Sequence, residues 1–249
     1  IKDETLNILR KYITDMPQEY AIKLSLATFT SSDNTTILGY AQPGGDNRIV
    51  LNKAKLDETG FLNKKSTRLL VVTLLHEIFH IFGLIDIGST GDTTTTENVK
   101  INGRDYVWKF YNGNNGVEQY RKFLKILKSK GNYKYSITTN NLSALSNQHI
   151  DKINYILLED DFSSGTEHVH LEEGLDEDFS LERYEAPIDG VQVHHPSIMN
   201  EITTGFQNKH SYITRITLGM LEDLNFKVNY RNLEMEESQL NYFHEIVIV

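Results

Sequence analysis

One stretch, RLLVVTLLHEIFHIF at residues 68 to 82, constrains this chain more than any other. At helical spacing its apolar side chains cover most of the cylinder, which predicts a helix buried on nearly all sides. Ser66 or Thr67 stands where an N-cap belongs, and Gly83 where a left-handed stop residue belongs. Into this apolar helix the sequence sets His76, Glu77 and His80. Two imidazoles and a carboxylate inside a core require partners, because a buried polar group without one is costly. An accidental set of core histidines is therefore the weaker reading.

The spacing assigns roles. His76 and His80 are four apart, so both rings stand on one helical face and can reach a single ion about 2.0–2.1 Å away. Glu77 lies one position round from His76, displaced from the ligand positions but within reach of a water on that ion, where a general base belongs. Gly83, three residues after His80, lets the chain turn sharply out of the helix toward a third ligand. The chain has no cysteine, so that ligand must be His, Asp or Glu. Asp86, His168, His170, His194 and His195 are the candidates, while His149, His210 and His244 lack supporting context and read as surface residues.

The remainder of the chain predicts an ordinary globular setting. With 249 residues, 39% hydrophobic and 24% charged, it can bury a sizeable core, and no run approaches the roughly 18 apolar residues of a membrane helix. A net charge of −9 argues against nucleic acid as a partner. Residues 3 to 13 predict an amphipathic helix stopped by Pro17; the segments 20–30, 37–41 and 48–52 predict three strands of one sheet. Residues 88 to 98 read as a Gly/Thr-rich loop, followed by a strand pair turning at Asn102-Gly103. Residues 116 to 131 and 211 to 224 each carry an apolar stripe at helical spacing. The stretch 159–190 is acidic and irregular, its run from Glu172 to Asp178 reading as solvated loop in preference to a calcium site, and the C-terminal 234–249 reads as an added strand or helix. No leader is visible ahead of Ile1, and two sequons, at Asn34 and Asn141, are compatible with secretion.

The segment HEIFHIFG at 76–83 resembles the metzincin zinc peptidases, and four further stretches resemble the leishmanolysin-like family in particular. These are LGYAQPGG at 38–45, FYNGNNGVEQYRKFL at 110–124, YILLEDDFSSGTEHVHLEE at 155–173, and SIMNE at 197–201 followed by SYITRITLGMLEDLNFKVNY at 211–230. They run in family order over most of the chain, with the zinc helix and the regions of His170 and Met199 the specific ones. The resemblance implies His76, His80 and His170 as zinc ligands, Glu77 as base, and Met199 as the methionine of the Met-turn. It departs from the family in lacking cysteine and in carrying an acidic insertion between His170 and Met199.

Together these readings lead us to expect an α+β, metzincin-like fold with a mixed twisted sheet. An upper subdomain, 1–83, would hold the sheet, a backing helix and the zinc helix; a mostly helical or irregular lower subdomain, 84–249, would hold the third ligand and the Met-turn. The expected activity is zinc-dependent hydrolysis of peptide bonds by a monomer, secreted or associated with the cell surface, acting on protein or peptide substrates. The alternatives are a compact site with Asp86 as third ligand, and a catalytically silent binding module that holds zinc for stability.

Overall fold

The structure, a computed structural model, describes residues 2–29, 38–53, 67–84, 94–101, 104–130, 146–158, 170–171, 187–188, 191–192, 201–203 and 211–233. Among these the chain is a mixed α+β protein with several small sheets. Helix α1 (Lys2–Tyr12) has an acidic first turn and a basic last turn, which suit the helix dipole, and buries Thr5, Leu9 and Tyr12. It runs into a short strand β1 (Ile13–Asp15), where the sequence predicts a last helical residue. β1 pairs antiparallel with the distant β10 (Lys227–Val228), so a long-range partner takes Ile13 out of the helix.

The three predicted strands form one mixed sheet. β2 (Lys23–Ala27) lies parallel to β4 (Arg48–Asn52), and β3 (Gly39–Gln42) lies antiparallel on the other side of β4, making β2 and β3 the outer strands. Ile49, Val50 and Leu51 of the central strand are buried. Leu24 and Leu26 on the outer strand β2 are 51% and 60% exposed, although their alternation is the usual mark of a core face.

Helix α2 (Thr67–Ile81) crosses this sheet and packs against β3, β4 and α1. As its sequence predicts, it is apolar on almost every side: Val71, Val72, Leu74, Leu75, Ile78, Phe79 and Ile81 are all buried. It ends in a Schellman turn. Gly83 has φ 90°, the Leu84 N–H donates to the Phe79 carbonyl at 3.0 Å, and the Gly83 N–H donates to the His80 carbonyl at 3.0 Å.

Beyond α2 the chain is richer in strands than the expected helical or irregular lower half. β5 (Thr94–Ile101) and β6 (Arg104–Tyr111) form an antiparallel pair, and β7 (Ile156–Leu157) joins the free side of β6. Thr94 to Asn98, read from sequence as loop, are strand residues; a threonine run is β-branched and suits an extended partner-bound backbone as well as a loop. Helix α3 (Asn114–Lys130) and a short helix α4 (Asn147–Asp151), which carries His149, follow the hairpin, and a two-residue pair β8 (Pro187–Ile188) and β9 (Val191–Gln192) lies further on. Helix α5 (Arg215–Asp223) starts later than its apolar stripe predicts, because Thr214 caps it with its side chain on the Ile216 N–H. One hydrophobic core joins α1, β4, α2, α3, α4, β7 and α5. No helix among the described residues is long and apolar enough to cross a membrane.

Candidate metal centre

The last two turns of α2 carry His76, Glu77 and His80: His76 is 4% and Glu77 5% exposed, while His80 is half-buried. His170 arrives from far along the chain. Leu158, next after β7, pairs antiparallel with Leu171, and both are fully buried, so the strand that leaves β7 is held to the segment bearing His170. The Leu171 N–H donates to the Thr203 carbonyl at 3.0 Å, which fixes this segment on its other side.

The three rings meet at their Nε2 atoms. His76 to His80 is 3.0 Å, His76 to His170 is 3.1 Å, and His80 to His170 is 3.2 Å. His76 Nδ1 lies 2.6 Å from the Ile202 carbonyl. A carbonyl only accepts, so this nitrogen carries the proton and Nε2 presents a lone pair. His80 also donates to a backbone carbonyl, that of Leu84 just past the Gly83 turn, and since its Nε2 faces the other rings the donor is Nδ1. His76 and His80 therefore oppose two lone pairs at 3.0 Å, an arrangement no hydrogen bond between neutral rings explains. A cation between them does. A triangle with these sides has a circumradius of about 1.8 Å, small enough that the three nitrogens could together reach one ion at the usual distance of about 2.0–2.1 Å. His76, His80 and His170 thus form a group able to hold a metal ion, and the imidazole N–H to carbonyl bonds behind two of them are the outer partners such ligands require.

The electrostatics agree. Burial pushes His76 down to about 4, against the Ile202 carbonyl that favours its charged form. Burial also holds His80 well below the usual histidine range, and the neighbouring His76 and His170 add to this. Neutral rings that turn an Nε2 lone pair toward a common point are in the state that binds a metal. Glu77 moves the other way: burial pushes its carboxyl up to about 8, opposed by the Ala41 N–H of β3.

The structure thus brings together the four residues His76, Glu77, His80 and His170 that the sequence singles out. Met199, Asp86, His168, His194, His195, His210, His244, the acidic run 172–178 and both sequons lie outside the described residues. Sequence reasoning missed the groups that orient the ligands: the carbonyls of Ile202 and Leu84, the N–H of Ala41, and Glu201, which holds the Ile202 segment. Only the Gly83 stop signal bore on any of these, since that turn delivers the Leu84 carbonyl to His80. No protein-family model matches the chain, and no curated protein matches it.

Proposed function

We propose that this chain is a zinc-dependent endopeptidase of the leishmanolysin-like metzincin kind, with His76, His80 and His170 as ligands and Glu77 as general base. The observation that carries the reading is the convergence of three Nε2 atoms within 3.2 Å, two of them with their protons committed to carbonyls on the opposite ring edge. Zinc in such a nest supplies Lewis-acid chemistry, polarising a carbonyl and making water acidic enough, with a pKa of about 7, to attack it. Glu77 takes the proton of the attacking water and hands it to the leaving amine. The Ala41 N–H holds one side of the Glu77 carboxylate, and Ala41 belongs to β3, an outer strand of its sheet among the described residues. An extended peptide that adds to that edge by main-chain hydrogen bonds passes beside Glu77, which favours a peptide as substrate.

The test is paired. Glu77→Gln should keep its zinc while digestion of a denatured protein collapses, and His170→Ala should lose the zinc and with it the rise in melting temperature that zinc produces in the parent chain. A parent chain that takes up no zinc, or a Glu77→Gln protein that digests at the parental rate, refutes the proposal.

A further inference from the structure

Among the described residues, Glu201, 2% exposed, is a buried carboxylate that the proposed site does not use. Its carboxylate is ringed by threonines. One oxygen accepts from the Thr203 N–H at 2.5 Å and from the Thr203 hydroxyl; the other accepts from the Thr214 hydroxyl at 3.1 Å, the Thr214 N–H at 3.4 Å and the Thr217 hydroxyl. The first pair closes a tight turn around Ile202. The second set ties that turn to the N-terminus of α5, where the helix dipole favours an anion.

Ile202, inside that turn, touches one of the proposed ligands, and Thr203 touches the neighbour of another. The Ile202 carbonyl receives the His76 Nδ1 proton, and the Thr203 carbonyl receives the N–H of Leu171, the residue after His170. A further bond, from the Ile202 N–H to the Tyr212 carbonyl at 2.9 Å, aligns the turn with the strand-like approach to α5. We infer that Glu201 is a positioning residue for the metal centre: by fixing the turn at 201–203 to α5 it sets both the tautomer and direction of His76 and the depth at which His170 is presented. The inference rests on the reading of His76, His80 and His170 as ligands. A carboxylate is required because both of its oxygens accept, whereas an amide turns one end into a donor facing the Thr203 or Thr214 N–H.

The experiment measures zinc affinity by competition with a chromogenic chelator, and the tautomer of His76 in the metal-free protein by imidazole ¹⁵N NMR, for the parent, Glu201→Gln and Asp223→Asn chains. The hydroxyls of Thr214 and Thr217 can rotate to accept from an amide, so Glu201→Gln is the variant that keeps the fold. It should weaken zinc by about 10- to 100-fold, the usual effect of losing an outer partner, and mix the two tautomers of His76. Asp223→Asn is the control: Asp223 joins α5 to the start of α3 through Tyr111, Asn115 and Gly116, so its loss strains the same helix without touching the turn. It should leave zinc affinity and tautomer as in the parent. Unchanged affinity and tautomer in Glu201→Gln, or an equal loss of affinity in Asp223→Asn, overturns the inference. If Glu201→Gln does not fold, Thr203→Val, which removes one donor to the carboxylate, is read by the same two criteria. A parent chain that binds no zinc refutes the peptidase proposal, and the metal-free tautomer then still decides the role of Glu201.

Discussion

Two glutamates, Glu77 and Glu201, are hidden almost equally, at 5% and 2% exposure, and the protein provides for them in opposite ways. Burial raises the pKa of both. At Glu201 the rise is opposed by Thr203, Thr217 and Thr214, whose donors occupy both oxygens; at Glu77 the described residues supply one opposing donor, the Ala41 N–H. Burial by itself therefore does not separate a chemical carboxylate from an architectural one. The donor count does: a carboxylate whose lone pairs are all engaged is held in one place, while one with few donors is free to change its protonation.

The comparison predicts opposite responses to mutation. Under the proposed function, Glu77→Gln removes the proton carrier from a site where the described residues give little hydrogen bonding to lose. Hydrolysis should drop by about 10²- to 10⁴-fold while the melting temperature holds or rises. Glu201→Ala leaves several threonine donors facing a cavity, so it should lower unfolding free energy by about 2–4 kcal/mol in a denaturant titration. If Glu201→Ala is as stable as its parent, or Glu77→Gln is the one that unfolds, the distinction is wrong.

A smaller effect tests the platform on which Glu201 is anchored. Gly219 of α5 faces α3 so closely that a Cβ there meets the Asn115 carbonyl oxygen at 2.6 Å and Gln119 Cγ at 2.8 Å. The carbonyl belongs to a helix backbone and cannot step aside as a side chain can. Gly219→Ala should cost about 1–3 kcal/mol by forcing the two helices apart. A thermal melt identical to that of the parent shows that the α3–α5 contact is looser than the geometry implies.

What could be read ahead of the structure was what local pattern decides. The α2 periodicity, its Gly83 stop, the strands β3 and β4 and the stripe of α3 all follow from neighbours in sequence, and the pair His76 and His80 follows from one helical turn. His170 does not: it is 94 residues from His76 and meets it through the Leu158–Leu171 pairing, which no periodicity announces, so only the family-like stretch around it pointed there. Glu201 and Ile202 were illegible for the same reason, since their roles exist only once 201–203 lies between α2 and α5. Leu24 and Leu26 failed in the other direction. Their alternation marks a strand correctly, but among the described residues β2 stands at the outside of its sheet, and a strand there shows solvent residues that a central strand would bury.

The smallest prediction concerns a pair that both burial and donor count mark as unimportant. Asp15 on β1 and Lys227 on β10 meet at 2.7 Å with their side chains 58% and 74% exposed. The Lys227 ammonium, by hydrogen bond and charge, holds Asp15 below the usual carboxylate range, and Asp15 in turn raises Lys227. A lowered acid stabilises the fold at pH values above its ordinary range and loses this as pH falls through its folded value. A raised base stabilises below its ordinary range and loses this as pH climbs through its folded value. The pair therefore helps between the carboxylate range and the lysine range, at neutral pH included, and fades at both ends. Solvent and salt screen it at every pH, so Asp15→Asn should shift the melting temperature only slightly, and the shift should vanish in high salt. A large, salt-insensitive shift would mean that the β1–β10 junction depends on this surface pair, and that exposure is a poorer guide to an ion pair's worth than the contrast between Glu77 and Glu201 suggests.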